Sequence, residues 1–95
     1  MQVDEVRRGK VRIRVSAGDF GSVLDETMRD YSEWPVSYRV HTTPGSSHRI
    51  PTDIDSDGRV YAILDGEPCY VRPSEIFDYV QRLPGFKRLT CLIGD

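Results

Sequence analysis

From Lys10 to Ser16 apolar and charged side chains alternate without a break: Val11, Ile13 and Val15 fall on one side, Lys10, Arg12 and Arg14 on the other. A period of two predicts a strand with one buried face. Ala17-Gly18-Asp19-Phe20-Gly21 interrupts it, and beyond the break Leu24, Met28 and Tyr31 recur at helical spacing, flanked by Val23 and Trp34. Ser22 reads as the N-cap of this helix, with Asp25 in the capping-box position. Pro35 ends it, because proline cannot continue the hydrogen-bond ladder. Ser37–Thr42 then predicts a second strand, with Tyr38 and Val40 on one face and Arg39 and His41 on the other.

Between Thr42 and Gly58 almost no strand or helix period survives. A structureless connection of about 17 residues is uncommon in a small domain and is usually functional or disordered. After it, Arg59–Leu64 and Glu67–Arg72 flank Asp65-Gly66, a dipeptide suited to the positive φ values of a type I′ hairpin turn. That register sets Tyr61 opposite Tyr70 and Val60 opposite Val71, both favourable cross-strand pairs. Pro68 cannot donate to a ladder, so this arm belongs at a sheet edge. Pro73-Ser74 opens a second helix, with Ser74 as N-cap and Ile76, Phe77, Val80 and Leu83 as its apolar stripe; Pro84-Gly85 closes it. Phe86–Ile93 is the last strand, with Leu89, Cys91 and Ile93 on one face. The order β-α-β-β-β-α-β describes a single α/β (α+β) domain over residues 1–95: a mixed sheet with two helices packed on it, for which a ferredoxin-like split βαβ layout is one candidate.

Ninety-five residues suffice for one domain with one modest core. A hydrophobic share of 38% beside 29% charged residues argues against global disorder. No apolar run approaches the roughly 18 residues of a membrane span. The stretch Met1–Glu5 lacks the basic and apolar regions of a signal peptide, so a soluble cytoplasmic protein, or a piece of a larger one, with no membrane partner is expected. The net charge of −2 hides an asymmetry, because Arg7, Arg8, Lys10, Arg12 and Arg14 place five of thirteen basic residues within eight positions. In an acidic chain with no aromatics interleaved in that run, it reads as a solvated strand face, and no nucleic-acid partner is expected.

Candidate chemistry falls in three places. Asp53, Asp55 and Asp57 followed by Gly58 match the opening half of a calcium loop, whose closely spaced carboxylates make sense around a cation. Leu64 stands where that loop carries its bidentate Glu, and an exposed acidic turn is the simpler account. His48 and Arg49 follow Gly45-Ser46-Ser47, a pattern that can hold an anion with backbone amides and a cationic side chain, with a flexible surface loop as the alternative. The two cysteines, Cys69 and Cys91, are too few for a disulfide framework and are not spaced as a metal knuckle, so reduced thiols are expected.

The third place is His41 with Cys91, each near the C-terminal end of a predicted strand, where open α/β sheets put their sites. Val40-His41, Asp57-Gly58-Arg59-Val60-Tyr61, Pro73-Ser74-Glu75-Ile76 and Cys91-Leu92-Ile93-Gly94 repeat a strand-His, hairpin, Pro-x-x-Ile, helix, strand-Cys-x-x-Gly layout. On these residues, Ser37–Asp95 resembles the His…Cys half of the caspase-like cysteine peptidases and, more closely, related secreted bacterial toxin domains. The resemblance implies a caspase-half-like sheet, with Cys91 as thiolate nucleophile and His41 as its base or proton donor. Thr42 stands where the family has Gly after the His, and alternation sets Cys91 with Leu89 and Ile93 on a core face. The sequence therefore favours a small non-catalytic domain. It would contact another protein, or a second copy of itself, through the 42–58 loop and the edge hairpin. A partial or degenerate cysteine hydrolase using His41 and Cys91, and a calcium-stabilised binding module, are the alternatives.

Overall fold

In the computed structural model, which describes residues 1–7 and 9–94, the alternating run Lys10–Ser16 is a strand, β2, over its whole length. Arg8 of the basic run and the terminal Asp95 lie outside the described residues. The full order is β1 (Gln2–Arg7), β2, α1 (Gly21–Arg29), β3 (Val36–Thr42), β4 (Ser46–Ile50), β5 (Thr52–Ile54), β6 (Val60–Leu64), β7 (Glu67–Cys69), α2 (Pro73–Val80) and β8 (Phe86–Ile93). The strands form a five-stranded sheet, β1-β2-β8-β3-β4, and a three-stranded one, β5-β6-β7. The α+β class holds.

The sheet is not mixed. β2 and β3 run the same way on either side of α1, as a βαβ unit would have them, but β8 lies between them and is antiparallel to both. All described pairings are antiparallel. The physical reason is the core. β8 presents Leu89, Cys91 and Ile93, all fully buried, and the centre of the sheet is where an apolar strand face gains most. Val11, Ile13 and Val15 flank it from β2, Tyr38 and Val40 from β3. Leu24 and Met28 of α1 and Ile76, Phe77 and Val80 of α2 complete the same cluster. Each such side chain contributes about 1.5–3 kcal/mol on full burial. The helices thus cover one face of the sheet and leave the other to polar residues.

The stretch 42–58 is not a long loop. The chain turns at Thr42–Gly45, where the Gly45 N–H donates to Thr42 O at 3.0 Å, and returns as β4. β5 follows and pairs with β6. Ser46-Ser47-His48-Arg49 is polar on both faces, as an edge strand can be, so no period of two marks it. The hairpin turn is as its sequence requires, but the expected arm Glu67–Arg72 pairs only over Glu67–Cys69, and Val60 pairs with Ile54 and not with Val71. Asp65 and Gly66 have φ 52° and 79°, Leu64 faces Glu67, and the Tyr61 and Tyr70 rings stand 5.6 Å apart. β7 ends at Cys69 and, carrying Pro68, lies at the sheet edge.

Helix ends differ from the sequence expectation. α1 stops at Arg29, and its N-cap is Phe20, with no side-chain capping bond from Ser22. Asp25 works on the other helix: its carboxylate accepts the Ser74 N–H at 2.9 Å and the Ser74 hydroxyl. α2 is capped at Arg72, not Ser74, with Glu75 accepting the Arg72 backbone N–H at 3.1 Å. The first turn of α2 is thus held from α1 across 49 residues of chain.

Candidate anion-binding face

Directly opposed residues of an antiparallel pair share a face, so the register states what the polar side of the large sheet carries. Arg14 lies opposite Thr90, Thr90 opposite Arg39, Arg39 opposite Arg49, and His41 opposite Arg88. Arg12 joins them two residues from Arg14. Together they line a concavity of about 510 Å³ on the side away from the helices. Four strands each supply at least one arginine, and the acidic net charge of the chain gives no hint of it.

Two of these five arginines are compensated at the β1 edge. Arg14 Nε sits 2.6 Å from Asp4, and Arg12 sits 3.9 Å from Glu5. The rest are not. Among the described residues, Arg39, Arg49 and Arg88 have no carboxylate within ion-pair distance. Arg39 Nη1 donates to Ser47 Oγ at 3.2 Å, a neutral partner. Arg39 and Arg49 are a like-charged pair directly across two strands, an arrangement that destabilises a sheet. Arg88 Nε is buried and finds no acceptor among the described residues, although buried donors are nearly always satisfied. His41 reports the same field. Its Nε2 contacts Thr90 Oγ1 at 3.0 Å, and its pKa is held below the ordinary value by burial first, then by the charges of Arg88, Arg39, Arg14 and Lys87.

The proposed nucleophile and base are not brought together. Cys91 is three positions from Arg88, the cross-strand neighbour of His41, and an odd offset puts it on the opposite face of the sheet. Its side chain is fully buried between the helices and the sheet, opposite Tyr38 and Ile13. Burial pushes the thiol up to about 12, far from the thiolate that attack on an acyl carbon needs. His41 and Cys91 therefore form no catalytic pair, and the reason is strand alternation.

His48 and Arg49 are likewise split. Arg49 joins the basic face, whereas His48 pairs with Val40 and is exposed on the helix side. Of Asp53, Asp55 and Asp57, the first two turn their carboxylates to hydrogen-bond donors of the turn and hairpin. Asp53 accepts the Ile54 N–H at 2.8 Å. Asp55 accepts the N–H groups of Asp57 (2.9 Å) and Arg59 (2.8 Å) and the Tyr70 hydroxyl (2.9 Å). Among the described residues no three His, Cys, Asp or Glu side chains are gathered as a metal would require. Arg59 also lies over the Tyr70 ring at 4.5 Å, so Asp55 ties the turn to the hairpin.

The alternation in β2 and β3 already puts Arg12, Arg14, Arg39 and His41 on polar faces. The alternation of Leu89, Cys91 and Ile93 likewise sets Arg88 and Thr90 on the polar side of β8, but that these faces are one surface depends on β8 entering between β2 and β3. Compared with protein-family models, curated proteins and solved structures, the chain matches none.

Proposed function

We propose that this domain is a non-catalytic binding module that takes an acidic partner protein on the basic face of its five-stranded sheet. The observation that carries this reading is the set Arg39, Arg49 and Arg88, uncompensated among the described residues: two arginines opposed across a strand pair, and a third whose buried Nε finds no acceptor among them. Such a sheet face holds charge at a cost to stability, and departures from local consistency concentrate at functional positions. An arriving carboxylate would relieve the repulsion and give the arginines charge-assisted, bidentate partners.

A protein suits the face better than a nucleic acid. Binding single strands uses exposed aromatic rings as stacking platforms, and among the described residues at the concavity the only Phe, Tyr or Trp is Tyr38, which is 6% exposed. This keeps the protein partner expected from the sequence and moves the contact from a 42–58 loop and the edge hairpin to the sheet face, to which β4 contributes Arg49. Calorimetric titration with poly-glutamate and with a single-stranded oligonucleotide of equal charge tests the reading. Poly-glutamate is expected to bind, and Arg39→Gln to weaken it severalfold. No binding of poly-glutamate, or tighter binding of the oligonucleotide, would overturn it.

A further inference from the structure

Resting on the acidic-partner reading, we propose that the concavity between Arg39, Arg49 and Arg88 is a pocket for a phosphomonoester, presented as a phosphorylated serine or threonine of the partner. Charge counting leads there. With Arg12 facing Glu5 and Arg14 held by Asp4, three guanidinium groups remain around one concavity, supplied by β3, β4 and β8. A carboxylate carries a single charge and fills one arginine fork. A phosphomonoester carries about −1.5 to −2 at neutral pH and offers three acceptor oxygens, so it can meet three arginines at once.

The local polar groups agree with a tetrahedral oxyanion. Arg88 Nε is a buried donor with no acceptor among the described residues. Among the described residues Arg39 has only a serine hydroxyl to bond, at 3.2 Å, and it stands against Arg49. The Thr90 hydroxyl, beside His41, is a further donor on the same wall. A cavity of about 510 Å³ has room for the phosphoryl group, its side-chain stem and accompanying water. The charged groups around His41 are Arg88 and Lys87 on β8, Arg39 on β3 and Arg14 on β2, all cationic. A bound dianion would offset that field, which makes the imidazole a spectroscopic witness.

The experiment uses one acidic peptide in three forms, with phosphoserine, serine or glutamate at its centre, together with poly-glutamate. Affinities are measured by calorimetry and the histidine ring signals by NMR across pH. The phosphoserine form is expected to bind at least tenfold tighter than either other form and to move the His41 titration to higher pH. The His48 ring signals, on the other face of β4, are expected to stay put. Arg39→Gln should erase the phosphoserine advantage. Arg88→Lys keeps the charge and removes Nε, and should reduce that advantage without lowering the melting temperature. Equal affinity of the phosphoserine and glutamate forms would overturn the phosphate proposal and leave the acidic-partner reading standing. Failure of all three peptides and of poly-glutamate would overturn both.

Discussion

Replacing Arg49 by Glu should make the domain more stable and a worse binder. Arg49 stands directly opposite Arg39 on the solvent-facing side of the sheet. Like charges so placed repel, and opposite charges there contribute roughly 0.2–1 kcal/mol. Two unit charges about 7 Å apart in water interact by about 0.6 kcal/mol, so reversing one sign is worth on the order of 1 kcal/mol. For a chain of this size that raises the melting temperature by about 4–8 °C. Arg49→Gln removes the repulsion without adding an attraction and should fall midway. Thermal melts by circular dichroism at about 10 mM salt, where the screening length is about 30 Å, should rank Glu above Gln above wild type. At about 1 M salt, with screening within about 3 Å, the three should converge. In an Arg39→Gln background the gain from Glu should vanish, since the coupling belongs to that pair. The same substitution should lower poly-glutamate binding, so that stability and affinity move in opposite directions. A wild type that is the most stable of the three at low salt, or differences indifferent to salt, would refute the idea that this face holds uncompensated charge.

Three further outcomes follow from other parts of the fold. In native protein, iodoacetamide should modify Cys69, which is half-buried, and spare Cys91, which is fully buried with its thiol pushed up to about 12; peptide mapping with and without denaturant reads this directly, and rapid native labelling of Cys91 would contradict its core placement. Asp25→Ala should cost about 1–3 kcal/mol in urea unfolding, because it leaves the Ser74 N–H at the start of α2 without its acceptor, and Asp25→Asn should cost less. The Asp55 carboxyl is held below its ordinary value, first by the Arg59 backbone N–H, against the opposing effect of burial, and then by the Tyr70 hydroxyl, the Asp57 N–H and the Arg59 charge. Its stabilisation is therefore complete above an unfolded-state value of about 3.9 and is lost as pH falls through the lower folded value. Melting temperature against pH should show wild type converging on Asp55→Ala at the acid end, and the gap at neutral pH should persist in chelator, since the carboxylate serves the turn.

Where burial imposes a period, the sequence was legible. β2 and β8 run over the residues their alternation marks, and the Asp65-Gly66 turn places Tyr61 beside Tyr70. Where no face is buried the period is missing and so was the strand. Val3 and Val6 of β1 remain 46% and 69% exposed at the sheet edge, and in β4 only Ile50 is buried. Capping residues misled for another reason. Asp25 lies three residues after Ser22, which suits a local box, yet the same carboxylate reaches Ser74, and tertiary proximity decided between them. No local rule contains that information.

The candidate site sits at the limit of the same logic. Alternation alone assigns Cys91 to the core and His41 to the polar side, so the sequence already held the argument against their pairing. It also set Arg12, Arg14 and Arg39 outward, but as separate facts about two strands far apart in the chain. What joins them is the insertion of β8 between β2 and β3, a choice made by Leu89, Cys91 and Ile93 on the apolar side. The residues that bury thereby fix which charges become neighbours on the opposite face. Arg88 reaches His41 and the concavity because Leu89 beside it is in the core. Moving β8 by one residue would exchange its faces, send Arg88 into the helices and bring Leu89 to the surface. Core packing and the charge pattern of the binding face are thus one constraint on β8. Sheet-core substitutions that shift this strand should therefore weaken poly-glutamate binding even when every arginine is retained.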